Sequence, residues 1–149
     1  MDKMVPPALE CRNIGRTFMI KRGMFAAKQP LTAVQEINLK INRGDVLAIV
    51  GESGCGKTTL GKTLTRLYPP TGGKICFLGN DIMAYSESEL QAARRGMQII
   101  FQDPYSALNP RKSVEAILTD PMKVHGIGAD AAGRRQLAAD LLEEVGLSE

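Results

Sequence analysis

The chain has 149 residues, of which 44% are hydrophobic and 23% charged, so it can bury the core of one domain but not comfortably of two. Its formal net charge of +3, from 19 basic and 16 acidic residues, is too small to indicate nucleic-acid binding. Three isolated cysteines without metal or disulfide spacing are typical of a reducing compartment. The longest apolar run, residues 46–50, is far shorter than the roughly 18 residues of a membrane span, so a link to a membrane would come through a partner.

The first part of the chain is predicted to form β-strands. Ile37, Leu39 and Ile41 alternate with polar residues, which is the pattern of a half-buried strand. Earlier strands are predicted over residues 9–12 and 17–20, followed by a basic surface loop over residues 21–30.

Residues 46–50, with the sequence VLAIV, are apolar without alternation. This pattern is typical of a strand covered on both faces in a parallel sheet. A helix is predicted over residues 58–67, where Leu60, Leu64 and Leu67 have helical spacing. A further strand is predicted over residues 74–78.

Ser86 and Glu89 form a capping-box pattern that predicts a short polar helix as far as Arg95. Residues 97–101 are predicted to form a second apolar strand, and residues 102–111, with two prolines, a loop.

Two helices are predicted at the end of the chain. Ser113 is expected to cap the first of them. The second has Leu137, Leu141 and Val145 on one face and ends at Gly146, a typical C-cap residue.

The strongest functional signal follows residues 46–50 directly. It fits G-x-x-x-x-G-K-[ST] at every fixed position, in the order Gly51, Glu52, Ser53, Gly54, Cys55, Gly56, Lys57 and Thr58. A triphosphate is a dense anion, and glycines let the backbone turn its N–H groups inward and approach the phosphates closely. The helix that follows adds unpaired N–H groups and the positive end of its dipole. The sequence therefore predicts a loop that binds the phosphates of a purine nucleoside triphosphate, Mg-ATP.

Two side chains of this loop are predicted to have separate roles. Lys57 reaches the β- and γ-phosphates as a mobile positive charge, and each of its charge-assisted hydrogen bonds is worth roughly 1.5–3 kcal/mol. Thr58 offers a hydroxyl to Mg²⁺, a hard cation that prefers oxygen ligands. The alternative is a glycine-rich turn with a chance lysine. It is weaker, because a buried-looking strand precedes the loop and an amphipathic helix follows it.

Two stretches resemble the nucleotide-binding domain of ATP-binding cassette transporters, especially the ATPase subunits of bacterial peptide importers. Residues 50–60 are similar to the Walker A motif. Residues 101–111, with the sequence FQDPYSALNPR, are similar to the Q-loop region and favour the peptide and nickel importer group. The resemblance runs in unbroken order from about Leu9 to Glu149.

The resemblance implies an α/β fold, that of a P-loop NTPase with an N-terminal antiparallel β subdomain. Residues 8–111 would form this β subdomain and the P-loop core, as far as the Q-loop. Residues 112–149 would begin a helical subdomain that receives a coupling helix from the membrane subunit.

The resemblance also implies roles for two residues outside the loop. Gln102 matches the Q-loop glutamine, which contacts Mg²⁺ and the attacking water and faces the membrane partner. From the residues alone it would be an ordinary polar residue at a strand end. Phe18 matches the aromatic residue that stacks on adenine, although a lone Phe in a strand is more often packed in a core. The predicted catalytic residues are Lys57 and Gln102, the predicted metal ligands are Thr58 and Gln102, and the predicted nucleotide-binding residues are Phe18, residues 51–58 and Thr59.

Two family motifs are missing after Gln102. The sequence contains neither an LSGGQ-like signature nor an apolar strand that ends in Asp-Glu, the Walker B pattern. Residues 1–149 are therefore expected to be the N-terminal part of one incomplete nucleotide-binding domain. They would supply the phosphate cradle but not the carboxylate that positions the attacking water. Without the Walker B strand, apolar strands would keep unpaired edges.

For the whole protein, the resemblance implies an ATPase that powers peptide import, with ATP and Mg²⁺ as cofactors. Its partners would be a second ATPase subunit in a sandwich around two ATP molecules, transmembrane permease subunits and, indirectly, a solute-binding protein, with no nucleic acid. It would lie on the cytoplasmic face of the inner membrane, held there by the permease. Three alternatives stay open: nucleotide binding without hydrolysis by these residues alone, transport of nickel or another solute, and a cassette protein that acts on DNA or ribosomes. The sequence of residues 102–111 argues against the last of these.

Overall fold

The structure, a computed structural model, describes residues 5–24 and 26–147, apart from the side chains of residues 104 and 106. The two ends of the predicted domain, residues 1–4 and 148–149, lie outside the described residues. The chain divides into two compact units, Met1–Gln91 and Ala92–Glu149. The division at residue 111 concerns subdomains of the family and stays a prediction.

An antiparallel sheet forms the base of the first unit. Its strands have the order β2-β1-β3-β4 in the described part of the chain, with β1 at Leu9–Ile20, β2 at Gln29–Ile41, β3 at Gly72–Phe77 and β4 at Asn80–Asp81. The two short strands expected before residue 21 are one strand, β1, with irregular register after Cys11. Asn13 has a positive φ of 50° there, and its N–H donates to Asn38 Oδ1 at 2.9 Å.

Helix α1, Lys57–Leu64, packs on the first two strands of this sheet. It buries Leu60, Thr63 and Leu64, which share one face at the spacing i, i+3 and i+4. The buried Thr63 hydroxyl donates to Thr59 O at 2.7 Å, so its polar group is paired within the helix. The helix ends three residues earlier than predicted.

Local capping signals place the next elements. A 3₁₀ turn at Ile82–Ala84 precedes α2, Glu87–Ala93, and a second 3₁₀ turn at Arg94–Gly96 follows it. The predicted capping box is confirmed, because Ser86 N donates to Glu89 Oε2 at 2.8 Å and Glu89 N donates to Ser86 Oγ at 3.4 Å. Hydrogen bonds from the Ser86 hydroxyl and N–H lower the pKa of Glu89.

The second unit contains three helices in its described part, α3 at Pro104–Ala107, α4 at Val114–Val124 and α5 at Ala131–Glu144. The Ser113 cap is confirmed, since Ala116 N donates to its Oγ at 3.2 Å. The predicted C-cap of α5 is also confirmed, with Gly146 at φ 78° and a bond of 2.8 Å from Leu147 N to Leu142 O. None of the described helices combines the length and the apolar character that a membrane crossing requires.

Two of the strand predictions are wrong. Residues 46–50 and 97–101 belong to no β-ladder in the described structure. Val46 is 97% exposed, although it was expected to be covered, and Ile100 in the second segment is 96% exposed. An apolar run forms a covered strand only when neighbouring strands pair its backbone and other elements cover its side chains. In the described residues no strand pairs with either segment, so the parallel sheet expected around them does not form there, whereas the sheet that does form is the antiparallel one that the resemblance implies.

Gly73 in β3 offers a test of how closely the strands approach. Its φ is 89°, and a Cβ there would lie 2.4 Å from Asn13 O and 2.5 Å from Arg12 O. We expect Gly73→Ala to lower the free energy of unfolding by at least about 2 kcal/mol. Alanine would have to adopt a left-handed backbone conformation, and its Cβ would overlap the carbonyl oxygens of β1. Urea denaturation measures the change.

The matched control is the neighbouring Gly72→Ala. A Cβ at Gly72 would have nothing within 4 Å, and its φ is not in the left-handed region. Its free energy of unfolding should change by less than about 0.5 kcal/mol. Equal urea midpoints for the two variants would contradict the packing of β3 on β1.

Candidate nucleotide-binding site

The predicted phosphate loop lies between residues 46–50 and helix α1. Its three glycines have positive φ angles, 156° at Gly51, 81° at Gly54 and 98° at Gly56. Gly56 lies against strand β2, where a Cβ would be 2.3 Å from Ala33 O. No other residue fits this position, since both the backbone angle and the close approach require the absence of a side chain.

Helix α1 begins directly after this glycine. Gly56 is its N-cap, in the left-handed conformation, and no side chain caps the helix. The first helical hydrogen bond runs from Leu60 N to Gly56 O at 2.8 Å. The N–H groups of residues 57–59 therefore take no part in the intrahelical hydrogen bonds, and the positive end of the helix dipole lies at the same end of the helix. This arrangement is suited to binding an anion.

The Lys57 ammonium lies against the backbone of the loop. Its Nζ donates to Gly51 O at 2.7 Å and to Glu52 O at 2.6 Å, and it lies 3.6 Å from Cys55 Sγ. The side chain is half-buried, whereas Thr58 beside it is exposed. The structure thus brings the predicted lysine back over the loop that precedes it, while Thr58 is exposed.

The strand register brings Phe18 close to the loop. Ala33, which contacts Gly56, lies between Thr32 and Val34, and these two pair with Thr17 and Arg16 of β1. Paired strands lie about 4.8 Å apart. Phe18 follows Thr17 in β1. This part of β1 therefore lies one strand spacing from Ala33 of β2, the residue that Gly56 contacts.

The Phe18 ring has aromatic and cationic neighbours. Its centroid lies 5.5 Å from that of Tyr68, with the rings at 88° to each other. The Arg16 guanidinium carbon lies 4.4 Å from the centre of the Phe18 ring. Phe18 is half-buried. It is therefore neither a fully packed core residue nor a free surface ring.

Sequence reasoning missed Arg16 and Tyr68. The available signal for Arg16 was its spacing of two from Phe18 within a strand, which places side chains on one face. Tyr68 carried no comparable signal, because it follows α1 and is 50 residues from Phe18 in sequence.

Gln102 belongs to the second unit, so it is described separately from the loop. Its side chain is exposed, and it lies between residues 97–101 and helix α3. Next to it, Asp103 Oδ1 accepts a hydrogen bond from Tyr105 N at 3.0 Å and so begins α3. The roles of Gln102 in catalysis and Mg²⁺ binding stay predictions.

Comparison with known proteins identifies the family. A family model described as "ABC transporter" matches residues 34–149. The oligopeptide transport ATP-binding protein AppF of Bacillus subtilis (strain 168) is 41% identical over 141 residues, which are 93% of this chain and 43% of AppF. The dipeptide transport ATP-binding protein DppF of Escherichia coli (strain K12) is 38% identical over 141 residues, 95% of this chain and 42% of DppF. The chain thus spans less than half the length of these relatives.

Solved structures show the same likeness. The ATP-binding cassette MJ0796, as a dimer in a post-hydrolysis state bound to ADP and Pi, matches with a TM-score of 0.73 at 25% sequence identity. The match covers 95% of this chain and 58% of the MJ0796 chain. The predicted fold class is therefore confirmed. The chain belongs to the ABC transporter family and has the fold of its nucleotide-binding cassettes.

Proposed function

We propose that the loop from Gly51 to Thr58 binds the phosphates of Mg-ATP. The observation that carries this proposal is the Gly56 contact, which fixes the start of α1 against β2 with its leading N–H groups outside the helical bonds. Phe18 would stack on the adenine, since it lies beside this contact and keeps part of its ring exposed. The other loop residues and Thr59 would line the phosphate site through their backbones.

Mg²⁺ fits the chemistry of the proposed site. Thr58, next to Lys57, is exposed and carries a hydroxyl, and hydroxyl and amide oxygens are ligands that Mg²⁺ accepts while keeping several waters. For Gln102, the proposed role as an oxygen ligand of Mg²⁺ rests on the family resemblance alone. When bound, Mg²⁺ would neutralise part of the charge of the phosphates.

For the whole protein we propose an ATPase subunit that couples ATP binding and hydrolysis to the import of peptides. The named functions of two relatives, oligopeptide and dipeptide transport, support peptides as the solute. The dimeric state of MJ0796 supports a second ATPase subunit as partner. Transmembrane permease subunits and a solute-binding protein would complete the importer and hold the ATPase at the cytoplasmic face of the inner membrane.

A second candidate function is nucleotide binding without turnover by these 149 residues alone. It is favoured by the sequence after Gln102, which contains neither the signature nor the Walker B carboxylate. Positioning a water for attack on the γ-phosphate requires such groups.

Phosphate release by the purified chain separates the two candidates. We expect no Mg-ATP-dependent release above the rate of a blank, because the 149 residues contain no Walker B motif, whose neighbouring carboxylate would position the water. A colorimetric phosphate assay under saturating ATP makes the measurement. Turnover that disappears in Lys57→Ala would show that the chain hydrolyses ATP by itself.

Lys57→Met tests the phosphate site. We expect it to weaken binding of both Mg-ATP and inorganic triphosphate by about tenfold, since it removes a charge-assisted hydrogen bond. Isothermal titration calorimetry gives both dissociation constants. The control is Lys74→Met, which removes a lysine paired with Asp81 at 3.1 Å on β3 and should change neither constant. Unchanged affinity in Lys57→Met would exclude the lysine from the site.

Phe18→Ala tests the base site separately. It should weaken Mg-ATP by about fivefold or more, because an aromatic–base stack is worth about 1–3 kcal/mol. Binding of inorganic triphosphate, which has no base, should stay unchanged. Phe77→Ala, which removes another half-buried aromatic ring of the same sheet, is the control. Equal losses for the two ligands in Phe18→Ala would remove Phe18 from the site.

A further inference from the structure

Arg16 makes three contacts that hold it in one place. Its guanidinium carbon lies 4.4 Å from the centre of the Phe18 ring and 5.9 Å from that of the Tyr68 ring. Its Nη1 donates to Pro69 O at 2.5 Å. Arg16 therefore joins strand β1 to the chain that follows helix α1, and it does so directly beside Phe18.

The surroundings of the Arg16 Nε are consistent with this contact between the guanidinium and the aromatic rings. This atom is buried and has no hydrogen-bond partner among the described residues. A buried donor without a partner is uncommon, and here the ring faces provide the attraction instead. The guanidinium thus lies over one face of Phe18, and the residue is half-buried, so part of its surface stays exposed.

We propose that Arg16 is the positioning residue of the base site: together with Tyr68, it holds the Phe18 ring so that the face away from the guanidinium can stack on a purine. This inference rests on the proposed function, because it presumes that Phe18 stacks on the nucleotide. The result would be a three-layer stack of guanidinium, phenyl ring and purine. A ring that two neighbouring side chains already hold in place loses little freedom when a base stacks on it.

The planar shape of arginine matters for this role. A guanidinium can lie flat on an aromatic face and donate in its own plane to a carbonyl, whereas the ammonium of lysine is a compact point charge. The stack also favours large bases, because dispersion grows with the area in contact. Arg16 would therefore contribute to the preference for purine over pyrimidine nucleotides without touching either.

The test compares Arg16→Met with Arg12→Met. Arg12 lies on the same strand, but its side chain is 72% exposed and pairs with Glu10 at 2.7 Å. Calorimetry gives dissociation constants for Mg-ATP, Mg-CTP and inorganic triphosphate. We expect Arg16→Met to weaken Mg-ATP by about three- to tenfold. Triphosphate affinity should stay unchanged, and the ratio of ATP to CTP affinity should fall. Arg12→Met should match the unaltered chain throughout.

Arg16→Lys is the second variant and keeps the charge and most of the length. It should recover part of the ATP affinity that methionine loses but not all of it, because the ammonium cannot lie flat on the ring. If Arg16→Met does not fold, a selective loss of ATP affinity in Arg16→Lys still supports the proposal. Full ATP affinity in Arg16→Lys would overturn it in that case.

The remaining outcomes separate this inference from the proposed function. Equal losses of ATP and triphosphate affinity in Arg16→Met would mean that Arg16 only supports the fold, and the inference would be wrong. Unchanged ATP affinity in Arg16→Met, with a loss in Phe18→Ala, would overturn the role of Arg16 and leave the base site standing. Unchanged ATP affinity in both would overturn the base site and the inference together.

Discussion

The approach of Gly56 to the backbone of Ala33 is the contact on which the candidate site depends. A Cβ at Gly56 would lie 2.3 Å from Ala33 O, so the start of helix α1 rests directly on strand β2. The pairing of β2 with β1 then fixes where Arg16 and Phe18 lie relative to the loop. One close backbone contact therefore links the phosphate loop to the aromatic residue that would bind the base.

Features that depend on neighbours in sequence could be predicted. The Ser86–Glu89 capping box, the Ser113 cap and the Gly146 turn each involve residues within about five positions, and each is present. The glycine loop before α1 belongs to the same class, since its backbone angles follow from the glycines themselves.

Burial that depends on distant partners could not be predicted in the same way. The sequence of residues 46–50 shows only that the segment is apolar, and a strand requires a neighbour to pair with. No such neighbour is found in the described residues, and Val46 and Val50 are 97% and 88% exposed. The same holds in the site itself. Arg16 and Pro69 are 53 positions apart, so nothing local pointed to their hydrogen bond.

The position of Lys57 indicates how much the lysine and the backbone N–H groups would each contribute to the affinity for phosphate. Its Nζ already has two acceptors, Gly51 O and Glu52 O, at 2.7 and 2.6 Å. Reaching a phosphate would exchange these bonds for bonds to phosphate oxygens, so the lysine contributes only the difference between the two sets. The N–H groups of residues 57–59 have no competing intrahelical acceptor to give up. It follows that the backbone at the start of α1 would supply most of the net attraction for polyphosphate, and that the glycines, which set this backbone, matter at least as much as the charge.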